Sequence, residues 1–182
     1  RDAITTNHYL SISGSTEKSN YSFSGGYLKQ QGIVKGNDFS RITGRLQNEI
    51  QATDYLKVGY NAILEHNKGN DSPADIIYKS FTAAPIVPVF NADGSYGDPQ
   101  TFPIGNATNN PRAQLDFFDQ ITKSYKVTGN VFAEIKFLKD FTFKTSFGGE
   151  FTQAEGRNYT PVYRATTGQF NTNSLLELTR SE

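Results

Sequence analysis

The chain has 182 residues, and its 18 basic and 18 acidic side chains give a formal net charge of zero. This balance gives no excess of positive charge of the kind that binds nucleic acid. The lack of cysteine excludes disulfides, thiolate metal sites and cysteine nucleophiles. No apolar run approaches the length of a membrane-spanning helix, yet 13% of the residues are aromatic. A β-barrel stays compatible with the low mean hydropathy of −0.55, because every second residue of a barrel strand faces a wet lumen.

The sequence begins at Arg1 rather than at methionine and carries no secretory signal segment. At this length a single domain is the default expectation. We therefore expect residues 1–182 to be one internal piece of a longer polypeptide.

Six stretches alternate apolar and polar residues, a pattern typical of strands with one apolar and one wet face. The clearest is the third, where Ile42, Leu46 and Ile50 share one face while Arg41 and Arg45 lie on the other. The pattern predicts an all-β fold, an antiparallel meander of about six strands. The predicted strands cover residues 7–16, 21–30, 41–52, 56–66, 121–137 and 141–153.

Strand registers follow from bringing the apolar faces together. In the first hairpin, Thr16 opposite Tyr21 predicts the pairs Leu10 with Tyr27 and Gly14 with Phe23. The last hairpin closes at Phe137 and Phe141. Its predicted pairs are Ile135 with Phe143, Val131 with Phe147 and Glu134 with Lys144.

The connections alternate between short turns and long loops, as in outer-membrane barrels. The predicted short turns are residues 17–20, 53–54 and 138–140, and the long loops are 31–39, 67–120 and 154–182. Strands of about 11 residues, tilted near 45°, span about 25 Å, which is the height of an outer-membrane apolar band. Aromatic residues also gather where the predicted strands end, as expected for side chains at lipid headgroups.

Four segments resemble, in order, the barrel of the SusC/RagA family of TonB-dependent outer-membrane transporters. Residues 10–39 read LSISGSTEKSNYSFSGGYLKQQGIVKGNDF and are followed closely by Arg41. Residues 48–61 contain LKVGYN, residues 83–98 read AAPIVPVFNADGSYGD, and residues 138–151 read LKDFTFKTSFGGEF. These motifs mark turns and strands, and the resemblance covers nearly the whole chain.

The resemblance implies that the meander is part of a larger barrel of about 22 strands. It further implies import of glycans, oligosaccharides or peptides across the bacterial outer membrane of Bacteroidota, beneath a SusD-like surface lipoprotein. The plug domain and the residues that couple to the TonB complex are expected outside this chain. By the same likeness the short turns face the periplasm and the long loops face outward.

Residues with catalytic or metal-binding chemistry are few, so we expect no enzyme and no cofactor. His8 and His66 lie at strand ends without a partner at a ligand-like spacing. The segment NADGSY at 91–96 lacks the acidic spacing of a calcium loop, which favours an Asp-Gly turn. The inward carboxylates stand beside Arg or Lys, so we interpret them as charge pairs of the lumen. The predicted lumen-facing charges are Arg41, Arg45, Glu49, Glu134 and Lys144.

The long external loop 67–120 is a candidate functional element, because structureless segments of this size are usually functional or disordered. Its aromatic residues could stack on sugar rings, pack beneath a lipoprotein lid, or form a small core of the loop's own. The candidate contacts to substrate or lipoprotein lid are Tyr78, Phe81, Phe90, Tyr96 and Phe102.

Two alternatives fit the same alternation. A soluble β-sandwich that binds carbohydrate through Tyr and Phe would pack its apolar faces against each other. A small, passive, porin-like barrel would need further strands but no plug.

Overall fold

The computed structural model describes residues 2–102, 109–138 and 140–182. Its strands, in chain order, are β1 (Thr5–Ser15), β2 (Ser19–Gln31), β3 (Asp38–Gln51), β4 (Leu56–Asp71), β5 (Asp119–Phe137), β6 (Phe141–Thr160), β7 (Tyr163–Thr166), β8 (Gln169–Asn171) and β9 (Leu175–Ser181). Strands β1 to β6 form an antiparallel meander, and β9 pairs with β6 as the seventh strand of the same sheet. Strands β7 and β8 form a separate two-stranded sheet. The all-β meander predicted from the alternation is therefore confirmed.

Several predicted boundaries are wrong, because the strands continue beyond the regular alternation. Strand β4 extends to Asp71 and β5 begins at Asp119, so the loop between them covers 72–118 rather than 67–120. The segment 154–182, predicted as a loop, contains the end of β6 and all of β7, β8 and β9. The alternation of Leu176, Glu177 and Leu178 is a signal that could have identified β9.

The long loop is not structureless. It holds helix α1 (Ile76–Thr82), a 3-10 turn (Pro99–Thr101) and helix α2 (Pro111–Asp116). No helix in the described ranges has the length and apolar character needed to cross a membrane. Part of the predicted loop, 103–108, lies outside the described residues.

The register of β5 with β6 is confirmed: Ile135 lies opposite Phe143, Val131 opposite Phe147, and Glu134 opposite Lys144. The predicted register of β1 with β2 is wrong by two residues. Leu10 pairs with Gly25 and Gly14 pairs with Tyr21. A shift of two residues leaves each side chain on its own face, so the hydrophobic pattern alone does not distinguish the two registers.

The three short turns differ in construction. In the first, the Thr16 backbone N–H donates to the Ser19 carbonyl, and the turn covers 16–18, overlapping the predicted 17–20 but starting one residue earlier. In the second, the Leu56 N–H donates to both the carbonyl and the hydroxyl of Thr53. In the third, Leu138 takes a positive φ of 50°, and Lys139, predicted within this turn, lies outside the described residues.

The sheet has no core of its own. Among the described residues, the buried apolar side chains are Ile76 and Ala113, both in the long loop. Large side chains on the apolar face are exposed, including Leu10, Val131 and Phe147. A face of this size, open along the whole meander, requires an apolar environment or partner to cover it.

Candidate functional site

The polar face of the sheet carries acidic and basic side chains that neutralise each other. The Lys57 Nζ lies 2.7 Å from the Glu49 Oε2 across β3 and β4. Lys57 is also directly opposite Glu134 of β5, whose negative charge acts on the ammonium group at longer range. Antiparallel neighbours share a face, which explains why alternate positions of separate strands meet here.

A second pair lies further along the same face. The Lys126 Nζ is 2.9 Å from the Glu150 Oε1, and the Thr128 hydroxyl donates to the other oxygen of Glu150 at 3.4 Å. With Glu49, Lys57, Glu134 and Lys144, these residues give three acidic and three basic side chains, so the polar face is charge-balanced. It can form hydrogen bonds with a solute and does not favour ions of one sign.

The ring of Phe132 forms an aromatic platform between the charged side chains of the polar face. The Phe132 ring lies over Gly59, its partner on β4, where an added Cβ would come within 2.5 Å of the ring. The Lys144 Nζ lies 4.7 Å from the centre of this ring, close enough for a cation–π interaction. Lys144 pairs with Glu134 in register as predicted, but its side chain also reaches Phe132. Sequence reasoning missed Phe132; a glycine facing an aromatic residue across two strands was the available signal.

The remaining predicted lumen charges lie near the long loops. The Arg41 Nε donates to the Asn67 Oδ1 at 2.8 Å, and the Asn67 amide donates to the Ser124 hydroxyl at 3.1 Å. The guanidinium of Arg41 also lies 5.4 Å from the centre of the Phe39 ring. Arg45 is exposed on the same face. The predicted set therefore shares one face of the sheet.

Three connecting segments of the chain come together above this end of the sheet. We call this unit the loop cap; it comprises residues 32–37, 72–102, 109–118 and 161–174. Its central residue is Asn110, which is 3% exposed and caps α2 by accepting from the N–H groups of Arg112 and Ala113. Asparagine followed by proline at the first helical position is a strong start signal for a helix.

Asn110 also joins the long loop to the small sheet. Its backbone N–H donates to the Gln169 Oε1 at 3.0 Å, and the Gln169 Nε2 donates back to the Asn110 carbonyl at 3.2 Å. The Asn110 side-chain amide donates to the carbonyls of Val89 and Gly97, both at 3.0 Å. Gln169 is 5% exposed, so this exchange of hydrogen bonds takes place away from water.

A chain of aromatic contacts runs through the loop cap. Phe90 packs against Tyr96 at 5.2 Å between ring centres, and Tyr96 meets the edge of Phe117 at 5.9 Å. Phe117 then stacks on Tyr163 at 4.2 Å. Two of the predicted contact residues, Phe90 and Tyr96, thus participate in the cap's own packing.

The carboxylate of Asp116 joins three parts of the loop cap. It accepts from the Lys35 ammonium at 2.6 Å, from the Arg112 guanidinium at 2.6 Å and from the Tyr96 hydroxyl at 3.1 Å. Partial burial acts to raise the pKa of Asp116, but these donors outweigh it and the pKa lies below 3.8. Burial, assisted by the hydrogen bond to Asp116, raises the pKa of Tyr96.

The other predicted loop residues are placed differently. Tyr78 and Phe81 project from α1 and are 71% and 89% exposed. Helix α1 is held by Asp75, which pairs with Lys79 at 2.7 Å and accepts from Gln114 of α2 at 3.0 Å. These bonds, that of Lys79 foremost, lower the pKa of Asp75. Phe102 is half-buried at the edge of the described residues.

The curated proteins that resemble this chain in sequence are TonB-dependent receptors. No protein-family model matches the sequence. The TonB-dependent receptor P3 of Formosa agariphila is 28% identical over 153 residues, covering 79% of this chain and 15% of that protein. The TonB-dependent receptor SusC of Bacteroides thetaiotaomicron is 29% identical over 188 residues, covering 89% of this chain and 18% of that protein. The chain thus spans less than a fifth of the length of these relatives.

Solved structures share the fold. The RagAB peptide transporter matches with a TM-score of 0.70 and 20% identity, covering 97% of this chain and 21% of the matched chain. The RagAB peptide importer in its closed-closed state matches with a TM-score of 0.66 and 20% identity, covering 88% of this chain and 19% of the other. In sequence the chain is thus similar to TonB-dependent receptors, SusC among them, and in fold it is similar to part of RagAB.

Proposed function

We propose that this chain forms part of the barrel wall and the external loops of a TonB-dependent importer. The observation that carries the proposal is the two-faced meander, whose apolar face is open while its polar face is charge-balanced. Lipid would cover the first face and the water-filled lumen would wet the second. The short turns would then lie in the periplasm and the loop cap outside the cell.

The proposed cargo is an oligosaccharide or a peptide. The platform of Phe132 and Lys144 offers an aromatic ring and a cation on the lumen side, and Phe39 with Arg41 repeats this combination near the loops. Such pairs stack on sugar rings and also contact apolar or acidic side chains of peptides. The RagAB structures are those of a peptide importer, which supports the peptide alternative by analogy.

The proposed partner of the loop cap is a SusD-like surface lipoprotein. Tyr78 and Phe81 are the aromatic side chains best exposed for it, whereas Phe90 and Tyr96 serve the packing of the cap. TonB coupling would depend on a plug region beyond this segment. The sheet supplies the wall and the loop cap supplies the docking surface.

The test of import uses the full-length protein that contains this chain, in cells that also produce its lipoprotein. Uptake of labelled oligosaccharides and of labelled peptides is compared before and after collapse of the proton motive force. We expect uptake of one class to stop on collapse. Uptake that continues unchanged would instead support the passive, porin-like alternative.

The test of the lipoprotein contact uses Phe81→Ser. We expect less lipoprotein to co-purify with the full-length protein, because an exposed aromatic anchor is removed. The matched control is Leu138→Ser, which removes an exposed apolar side chain, 78% accessible, at the opposite end of the sheet. Equal co-purification with both variants would contradict the proposed docking role of α1.

A further inference from the structure

A row of cations crosses the apolar face near the loop cap. Directly opposed residues share a face, and one continuous line of such pairs crosses the sheet from β2 to β9. In strand order this row consists of Lys29, Ser40, Lys68, Lys123, Glu155 and Arg180. Its four cations are exposed and outnumber its single carboxylate.

The row has a defined place relative to the apolar surface. The next line of the same face, toward the short turns, includes Tyr27, Ile42, His66 and Tyr125. His66 and Tyr125 stack with ring centres 4.4 Å apart. Two residues along a tilted strand correspond to about 5 Å of height. The cations therefore lie just beyond an aromatic line of the kind that marks the headgroup level of a membrane.

The two central lysines form no ion pair among the described residues, although Glu155 lies directly opposite Lys123 on β6. Lys68 and Lys123 are directly opposite each other, and no carboxylate within the described ranges lies within ion-pair distance of either. Like charges at directly opposed positions destabilise a sheet. Elsewhere in this sheet lysines do find carboxylates, as in Lys57 with Glu49 and Lys126 with Glu150. The lack of an ion pair at Lys68 and Lys123 fits an anion that binds them from outside the chain.

The surroundings of the lysines fit an amphiphilic anion. Lys68 and Lys123 border a surface groove of about 500 Å³ whose other charged lining residues are Glu155, Arg157 and Arg180. Glu155 accepts from the Gln153 amide at 3.2 Å, and Arg180 lies 3.1 Å from the Glu182 carboxylate. The basic side chains in the groove outnumber its single carboxylate, which favours an anion, and the apolar line toward the short turns is where attached acyl chains would lie.

We propose that this row binds the phosphate groups of a phosphorylated glycolipid of the outer leaflet, with Lys68 and Lys123 at the centre of the site. The proposal rests on the lipid-facing assignment made under Proposed function. Ammonium groups beside an aromatic line give phosphate contacts at headgroup depth, while the apolar face below receives the acyl chains. Bound phosphate would remove the repulsion between the two lysines.

The experiment uses the full-length protein, delipidated in neutral detergent and titrated with monophosphoryl lipid A under native mass spectrometry. The test variant is Lys68→Gln/Lys123→Gln. Loss of two juxtamembrane lysines should weaken binding about tenfold or more. The matched control is Lys126→Gln/Lys136→Gln, which removes two lysines from the opposite face of β5 and should leave lipid binding unchanged.

Further controls distinguish lipid from free phosphate as the source of the anion, and distinguish a failure of this proposal from a failure of the proposed function. Fully dephosphorylated lipid A should bind the wild type as weakly as phosphorylated lipid binds the test variant. Equal binding of both lipids, or equal binding by both proteins, would overturn the proposal. Inorganic phosphate that binds as tightly as the lipid would overturn the lipid assignment. If only the control variant lost lipid, the assignment of faces under Proposed function would fail instead.

A measurement without lipid keeps the proposal testable if binding proves difficult to quantify. In anion-free neutral detergent, Lys68→Gln should raise the Tm of the full-length protein, because the repulsion with Lys123 is removed. Added lipid A should raise the Tm of the wild type but not that of the double variant. A lower Tm of Lys68→Gln in anion-free detergent would contradict the proposed repulsion.

Discussion

The seven-stranded sheet and the loop cap are ordered by different means. The sheet contains none of the fully buried apolar side chains, and its order comes from backbone pairing along long strands. The loop cap has short elements but encloses Ala113, Ile76 and the bonded pair of Asn110 and Gln169. The comparison shows that the sheet depends on its surroundings for stability, whereas the cap depends on contacts within the chain.

The largest expected effect comes from placing a charge on the apolar face of the sheet. Leu46→Arg should lower the stability of the full-length protein in bilayers by roughly 2–4 kcal/mol, because the new charge faces lipid near the middle of the membrane. Gln47→Arg, its neighbour on the polar face, is the control and should have a much smaller effect. The measurement is denaturant unfolding in lipid vesicles; equal losses would refute the assignment of faces.

The next effect should be confined to the loop cap. Asn110→Ala removes a helix cap and leaves the Val89 and Gly97 carbonyls without partners, at a local cost of about 2–3 kcal/mol, while the backbone bonds to Gln169 remain. We expect faster hydrogen exchange in 83–102 and 109–118, with strands β3 to β5 unchanged. The exposed neighbour Asn109→Ala is the matched control. If β3 to β5 also lost protection, the cap and the sheet would not be separate units of stability.

A smaller effect is expected inside the sheet at the aromatic platform. Gly59→Ala places a Cβ against the Phe132 ring and should cost about 1–3 kcal/mol through overpacking. Gly69→Ala, on the same strand with no atom within 4 Å of the added Cβ, is the control. Denaturant midpoints of the two variants provide the measurement. A cost as small as that of Gly69→Ala would mean that Phe132 moves aside freely.

The smallest effect is a dependence of the loop cap on pH. The folded-state pKa of Asp116 lies below 3.8, so its bonds contribute fully above that unfolded value and are lost as the pH falls through the folded pKa. Limited proteolysis of the cap should therefore accelerate as the pH falls below about 4. Asp116→Asn should cleave faster at neutral pH and respond less to acid. An unchanged acid response in this variant would assign the effect to other carboxylates.

The sequence predicted the sheet better than the loop cap for a physical reason. Alternation over many residues indicates which side chains share a face, and this gave the strands and the pairs of β5 with β6. It does not distinguish registers that differ by two residues, so the pairing of Leu10 in the first hairpin was wrong. The pattern also placed Arg41, Arg45 and Glu49 on one face without revealing their partners.

The loop cap could not be predicted because its contacts join distant parts of the chain. Asn110 bonds Gln169, 59 positions away, and Asp98 accepts from the Thr167 N–H, 69 positions away. No periodic pattern connects such residues. Only the helix start at Asn110 and Pro111 has a signal in the local sequence. Of the predicted aromatic residues, Tyr96 is packed within the cap and Phe81 is exposed.

The bond from Lys35 to Asp116 has a consequence for binding kinetics. It fastens the loop between β2 and β3 to a cap that Asn110 and Gln169 already join to the segment after β6. The entropy of ordering these segments is therefore lost during folding and not when a ligand or partner arrives. Association then avoids an ordering cost of about 0.5–1.5 kcal/mol for each side chain already fixed, and the outer surface acts as a preformed receptor.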